Sequence, residues 1–333
     1  MSYGIGILGA GVMGSDHARI LASQVAGAHL VAVFDPDRAR AEASAGANGA
    51  RRVHARGIDL IDDPEVEAVL IASPDATHAE FVLACLARGK PVLCEKPLAA
   101  SAAECLQLIE AETKLGRRLI QVGFMRRFDP FYGDLRAGLE QGGLGPVLLA
   151  HCVHRVATVP GYFQADMSIT NAAVHEFDIL RWLLGQEIAA VQVMRSRRKS
   201  TATLRDPLMI VLETDQGVVA DVEAYMSAAY GYDIRTEVVC EEGTAELARP
   251  QPAAFRRNGS VAAAYPADWR GRFADAYRLQ LQGWVNGVRS GVPAGASAWD
   301  GYLATIIADA ALKSLNEGGR VAIPAATRPA LYR

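Results

Sequence analysis

The sequence has few of the features that mark exported, membrane-bound or metal-binding proteins. Its five cysteines are widely spaced without a C-x-x-C pair, which excludes a disulfide framework and a zinc knuckle and favours reduced thiols. Half of the residues are hydrophobic, yet no run reaches the ~18 apolar residues of a membrane span. Met1 leads directly into a strand-like segment and not into a signal peptide. We therefore expect a cytoplasmic protein that does not bind membranes.

Long blocks of one charge sign are also missing. Lys and Arg total 34 and Asp and Glu total 37, so the formal charge is −3, and these charges are spread along the chain. This pattern predicts no nucleic-acid partner. The length of 333 residues, at roughly 150 residues per domain, predicts about two domains.

The first part of the chain alternates short apolar runs with helical patterns, which is typical of parallel β-α-β units. Thr77 with Glu80, and Ser101 with Glu104, have the spacing of helix-capping boxes. The predicted strands are residues 5–8, 30–34, 68–72, 91–94 and 119–122. We predict an N-terminal Rossmann domain, a doubly wound parallel sheet, over residues 1–122.

The pattern changes near residue 148 to longer alternating strands joined by tight turns, one of them at residues 215–217. The predicted strands are residues 151–155, 191–197, 208–214, 218–225 and 234–240. The predicted helices are residues 170–184, 272–290 and 299–317. Residues 123–333 are therefore predicted to form an α/β domain with a large, mostly antiparallel open sheet.

A glycine loop, G-x-G-x-x-G, lies between the first strand and the first helix. Gly9 permits a tight turn, Gly11 leaves room for a pyrophosphate, and Gly14 lets the helix pack close to the strand. The N–H groups at the start of the helix can bind phosphate. Asp35 ends the second predicted strand, 21 residues after Gly14. Together these features predict a dinucleotide site.

Asp35 favours NAD over NADP, because a carboxylate accepts hydrogen bonds from the adenosine ribose and repels a 2′-phosphate. Two observations leave alternatives open. Asp35 can instead cap a helix that begins near residues 36–38, and Arg38 can accommodate the extra phosphate of NADP.

Lys96 lies in a short turn after an apolar strand, between Glu95 and Pro97. This turn and residues 73–78 both follow core strands, so we expect them at the carboxyl edge of the sheet, where such sheets bind ligands. Burial lowers the pKa of a lysine and a neighbouring carboxylate raises it, so Lys96 is suited to handle a proton. The alternative is a structural ion pair.

In the second half, Asn171 and His175 are four residues apart in a predicted helix and share a face. His151 and His154 lie on a predicted strand and point to opposite faces, so only one can face a ligand. The zinc spacing H-E-x-x-H is absent, and no metal site is predicted. Several other side chains suit either a polar pocket or ordinary packing: Arg126, Arg127, Tyr132, Tyr230 and Tyr232.

The glycine loop, the C-E-K-P turn at residues 94–97 and the N-x-x-x-H segment at residues 171–175 together resemble the Gfo/Idh/MocA family of sugar and polyol oxidoreductases. The resemblance is closest to bacterial myo-inositol 2-dehydrogenases and extends nearly end to end. It includes residues 121–129, 151–155, 230–234 and 298–302.

The resemblance implies NAD-dependent oxidation of a secondary hydroxyl of a cyclic polyol, myo-inositol to 2-keto-myo-inositol, by a homotetramer. It implies that Lys96 binds the reacting hydroxyl, that His175 is the general base, and that Asn171 completes the catalytic set. Arg126, His154 and Tyr232 match the residues that line the polyol pocket. The residues that match the cofactor side are Gly9, Gly11, Val12, Met13, Gly14, Asp35, Ser73, Pro74, His78, Glu95 and Lys96.

Asn171 departs from the family, whose inositol dehydrogenases usually have aspartate there. An amide can orient His175 but hardly raises its basicity, and in a serine-protease triad the same change costs about 10⁴ in rate. Three explanations are open: a weakened site, an altered substrate, or greater use of Lys96. The alternative functions are oxidation of another inositol isomer, a pyranose or an anhydrosugar, and a non-catalytic NAD-binding sensor.

Overall fold

A computed structural model describes residues 2–196, 204, 206–247, 254–262 and 264–333 of the chain. The chain forms two compact units. The first comprises residues 1–128, 275–305 and 327–333, and the second comprises residues 129–274 and 306–326. The sequence boundary after residue 122 stays a prediction. None of the described helices is both long enough and apolar enough to cross a membrane.

The first unit contains a six-stranded, all-parallel sheet with the strand order β3-β2-β1-β4-β5-β6. The strands are β1 (Tyr3–Leu8), β2 (Ala28–Phe34), β3 (Arg52–Val53), β4 (Ala68–Ile71), β5 (Val92–Cys94) and β6 (Ile120–Val122). The helices between them are α1 (Val12–Gln24), α2 (Arg38–Asn48), α3 (Gly57–Asp62), α4 (His78–Ala87) and α5 (Ala102–Leu115). The doubly wound sheet is confirmed, and its order reverses between β1 and β4, the point where such sheets bind ligands.

The central strands are apolar because helices cover both faces of a parallel sheet. Every residue of β4 is fully buried. One predicted cap is confirmed, since Ser101 Oγ accepts a hydrogen bond from the backbone N of Glu104 at 3.2 Å. The Thr77 capping box is wrong. The hydroxyl of Thr77 instead donates to the carbonyl of Pro74, in a 3₁₀ turn that precedes α4.

The second unit contains a seven-stranded sheet with the order β12-β11-β7-β10-β9-β8-β15. Its strands are β7 (Val147–Arg155), β8 (Ile188–Arg195), β9 (Leu208–Thr214), β10 (Val219–Tyr225), β11 (Asp233–Cys240), β12 (Gly243–Glu246) and β15 (Arg320–Ala322). β13 (Phe255–Arg257) and β14 (Ser260–Ala262) form a separate hairpin. The mostly antiparallel sheet is confirmed, and β7 with β10 is a parallel pair within it. The predicted strand 191–197 overlaps β8, but residue 197 lies outside the described residues.

The helices of the second unit begin with α6 (Pro130–Glu140) and α7 (Val174–Leu184). α7 is shorter than the predicted helix 170–184, because a π-helical turn, Ser168–Ala173, precedes it. The longer helices α8 (Trp269–Ser290) and α9 (Ala298–Glu317) each contribute residues to both units. The predicted hairpin turn is confirmed between β9 and β10, where Gly217 has a φ of +88°.

Candidate active site

The glycine loop between β1 and α1 has the geometry that its sequence predicts. Gly9 has a φ of +96°, and a Cβ there would lie 2.5 Å from the carbonyl oxygen of Ala72. A Cβ on Gly14 would lie 1.8 Å from the carbonyl oxygen of Gly9, so α1 packs directly against the loop. A Cβ on Gly11 would meet nothing within 4 Å. The loop therefore leaves open space in front of the amino end of α1, as a bound pyrophosphate requires.

Asp35 directly follows β2 and is buried. Its Oδ2 accepts a hydrogen bond from the backbone N of Ala10 at 2.7 Å, and its Oδ1 accepts one from the backbone N of Asp37 at 2.9 Å. The alternative that Asp35 caps the next helix is wrong, since Asp37 is the N-cap of α2. Asp35 thus fixes the glycine loop and brings a carboxylate beside it, which suits a ribose hydroxyl.

The cations near Asp35 are exposed arginines. Arg38, which the sequence offers as a phosphate ligand, pairs with Glu42 at 2.8 Å on the surface of α2. Arg40 lies nearer to the carboxylate, with its Nη1 3.5 Å from Asp35 Oδ1. The position of Arg40 makes it a stronger candidate than Arg38 for any contact with a 2′-phosphate.

His78 connects the loops that follow β4 and β5. Its Nε2 lies 2.9 Å from the carbonyl oxygen of Ser73, and its Nδ1 lies 2.7 Å from that of Pro97. Ser73 Oγ is also 2.6 Å from Thr77 Oγ1. The ring of His78 is buried and both of its nitrogens contact protein carbonyl groups, so His78 links the two loops.

Glu95 and Lys96 lie at the carboxyl end of β5. Glu95 is buried, and its Oε1 lies 2.8 Å from Nε2 of His17, a fully buried residue of α1. Burial opposes ionisation of Glu95, but the His17 hydrogen bond and the charge of Lys96 outweigh it and lower the carboxyl pKa. Sequence reasoning did not identify His17, because its partner is distant in sequence.

Lys96 is partly buried, and burial lowers its pKa. Within the first unit, the carboxylates of Glu95 and Asp75 oppose this shift, and the guanidinium of the buried Arg126 adds to it. Sequence reasoning predicted Lys96 and Arg126 for one pocket, and the first unit brings their charges close enough to interact. A lysine in this setting can hold or release a proton near the carboxyl edge of the sheet.

The second unit contains a cluster of buried polar rings. The ring of His154, on β7, lies 6.4 Å from the ring of His175 and 6.1 Å from that of Tyr232, between centroids. His154 is buried and His151 is exposed, which confirms that the two point to opposite faces of the sheet. The structure thus brings together three residues that the sequence singled out.

A buried carboxylate accompanies this cluster. Glu176 Oε2 lies 2.9 Å from His154 Nδ1, and both side chains are buried. Sequence reasoning missed this pair, because the two residues are 22 positions apart, one on a predicted strand and the other on a predicted helix. An imidazole paired with a carboxylate has a fixed ring orientation.

Asn171 lies in the π-helical turn just before α7, and its Oδ1 accepts a hydrogen bond from Thr170 Oγ1 at 2.9 Å. Single π turns inside helices are frequent at functional sites. His175 lies in the first turn of α7 and is buried, with 9% of its surface exposed.

The sequence allows either a pocket role or a packing role for five side chains, and three of these have structural partners. Tyr132 is buried with its hydroxyl 3.0 Å from Thr236 Oγ1. Arg127 pairs with Asp300 at 3.1 Å. The hydroxyl of Tyr230 donates to Asp233 at 2.7 Å. These contacts support the packing interpretation for all three.

Two features define a dinucleotide-binding protein. One is a glycine loop with open space at the amino end of a helix, and the other is a carboxylate after the second strand of a parallel sheet. Residues 3–124 match the oxidoreductase family with an NAD-binding Rossmann fold, and residues 136–323 match the C-terminal alpha/beta domain of the same family. The chain belongs to this family, the Gfo/Idh/MocA oxidoreductases, and its first unit holds the NAD-binding Rossmann domain.

The relatives of this chain are similar over their whole length. Inositol 2-dehydrogenase 1 of Saccharopolyspora erythraea is 50% identical, over 100% of this chain and 99% of the relative. Inositol 2-dehydrogenase of Ralstonia nicotianae is 44% identical over 100% of both chains. The crystal structure of myo-inositol dehydrogenase from Lactobacillus casei, in complex with NAD(H) and myo-inositol, has a TM-score of 0.97 at 33% identity and covers 100% of both chains.

Proposed function

We propose that this protein is an NAD-dependent dehydrogenase that oxidises one secondary hydroxyl of myo-inositol to give 2-keto-myo-inositol. The observation that carries the proposal is the similarity of the entire chain to enzymes named for this activity. The buried rings of His154, His175 and Tyr232 support it, since a polyol needs many hydrogen-bonding partners and a site that supplies them rejects analogues lacking a hydroxyl.

The residues that we assign to cofactor binding belong to the first unit. Gly9, Gly11 and Gly14, with the N–H groups of Val12 and Met13, are suited to hold the pyrophosphate. Further residues that we assign to cofactor binding are Asp35, Ser73, Pro74, His78 and Glu95. NAD, when bound, accepts a hydride from the alcohol carbon.

Oxidation of an alcohol also requires that the hydroxyl lose its proton. We assign His175 as the general base, because an imidazole takes a proton near neutral pH. Protonated Lys96 binds the same hydroxyl and stabilises the negative charge that develops on its oxygen. Asn171 orients His175, and Arg126, His154 and Tyr232 bind the remaining hydroxyls.

The test is NADH formation with purified protein across pH. The panel contains myo-inositol, scyllo-inositol, other inositol isomers and glucose, and it compares the protein with Asn171→Asp. We expect myo-inositol to have the highest kcat/KM. A higher value for another polyol would identify a different substrate. NAD binding without turnover in either protein would instead support the sensor function.

The proposal also covers the oligomeric state of the protein and its location in the cell. We infer a homotetramer in the cytoplasm, with one face of the seven-stranded sheet covered by another copy. The apolar side chains of Leu149, Met194, Met209 and Val219 are exposed on this sheet, which suits an interface. Light scattering at several concentrations tests the assembly, and a monomer at all of them would contradict it.

A further inference from the structure

The carboxylate of Glu95, the residue before Lys96, is fixed by contacts on several sides. Its Oε1 lies 2.8 Å from His17 Nε2, and its Oε2 accepts a hydrogen bond from the backbone N of Lys96 at 3.2 Å. On another side, a Cβ added to Gly123 would lie 2.9 Å from the carboxylate, so only glycine leaves room for it there. Glu95 therefore has little freedom to move.

His17 is held in place beside the carboxylate of Glu95. It is fully buried on α1, and the ring of Tyr277 packs against it edge-on at 5.7 Å between centroids. An ionised carboxylate only accepts hydrogen bonds, so Nε2 of His17 must carry the hydrogen that Glu95 accepts. Loss of such a donor raises the pKa of a buried carboxyl, because burial disfavours its charged form.

We propose that His17 is a positioning residue for Lys96, because it holds Glu95 ionised and thereby keeps the amine of Lys96 protonated while the alcohol is oxidised. This inference rests on the proposed function. Within the first unit, the charges that act on Lys96 also include Asp75, which favours the protonated amine, and Arg126, which opposes it. Without the Glu95 charge, Asp75 still favours the protonated amine, but Arg126 and burial, which favour the neutral amine, are opposed less strongly.

The test follows the titration of Lys96 itself, with no substrate present. Trace acetylation at a series of pH values, read by mass spectrometry, gives the pH at which Lys96 loses its proton. The exposed Lys114 is an internal reference. His17→Phe keeps a ring but removes the donor, and His17→Gln keeps an N–H donor. Leu21→Ala, at another buried position of α1, controls for destabilisation.

We expect both His17→Phe and Glu95→Gln to lower the pH midpoint of Lys96 by at least about one unit, since one opposite charge shifts a pKa by that much. His17→Gln and Leu21→Ala should leave it near the wild-type value. In turnover, the basic limb of the pH profile should move to lower pH in His17→Phe. An unchanged Lys96 midpoint in His17→Phe would overturn the inference, even if the protein does not oxidise myo-inositol.

If His17→Phe does not fold, the wild-type protein still decides the question. Nitrogen NMR of ¹⁵N-histidine protein distinguishes the two neutral tautomers, and the His17 signal is assigned by its loss in His17→Gln. We expect the tautomer with hydrogen on Nε2. Hydrogen on Nδ1 alone would mean that His17 does not donate to Glu95, and the inference would be wrong.

Discussion

The preference for NAD over NADP depends on Asp35, and its replacement by alanine has two separable effects. The first is on stability. The N–H of Ala10 is buried and donates to Asp35 Oδ2, so Asp35→Ala leaves it without an acceptor, at a cost of about 1–3 kcal/mol. The N–H of Asp37 is near solvent and can bind water instead.

The second effect of Asp35→Ala is on binding. A ribose hydroxyl that donates to a carboxylate contributes about 1.5–3 kcal/mol, so we expect NADH to bind roughly 10- to 100-fold more weakly. NADPH should bind as well as before or more tightly, because the carboxylate that repels its 2′-phosphate is gone. Calorimetric titration with both cofactors measures the two affinities, and thermal unfolding measures the change in stability.

Asp35→Asn is the matched control. Its amide oxygen can still accept from Ala10 N, so we expect stability close to wild type, while the repulsive charge is lost. The preference for NADH should therefore fall in both variants, although only the alanine variant is destabilised. If the ratio of the NADH and NADPH affinities stays at its wild-type value in both variants, Asp35 does not bind the ribose hydroxyls and the reasoning is refuted.

Three other predictions concern the catalytic residues and the second unit. Lys96→Ala should abolish turnover and leave NADH binding largely intact by fluorescence titration; a wild-type rate would favour the structural ion pair instead. Asn171→Asp should raise kcat for myo-inositol by about 10- to 100-fold, and an equal or lower kcat would show that the amide suits this site. Arg272→Met leaves the buried Asp129 without its bidentate partner at 2.7 and 3.0 Å and should cost about 3–5 kcal/mol in chemical denaturation, whereas a loss below 1 kcal/mol would contradict this pairing.

The parts of the fold that sequence predicts well are those set by neighbouring residues. The glycine loop needs a positive φ at Gly9 and a close helix at Gly14, and both requirements are readable in one short motif. The alternation of His151 and His154 follows from the two-residue repeat of a strand. Local rules of this kind do not depend on what the chain does elsewhere.

The parts that sequence does not predict depend on partners far along the chain. His17 meets Glu95 across 78 positions, and His154 meets Glu176 across 22. The parallel pairing of β7 with β10 cannot be predicted from sequence either, because the two strands are distant along the chain. The π-helical turn at Asn171 differs from the α-helix that follows it in its backbone hydrogen bonds, which side-chain periodicity does not report.

The segments of the first unit have a consequence for biosynthesis. Residues 275–305 and 327–333 belong to this unit, and the hydroxyl of Tyr332 bonds to the buried Glu112 of α5. On the ribosome, domains ordinarily fold in the order in which they emerge. Here the parallel sheet emerges first, but its unit is completed only after residues 327–333 have also emerged. The second unit, whose last segment ends at residue 326, has all of its residues before the first does.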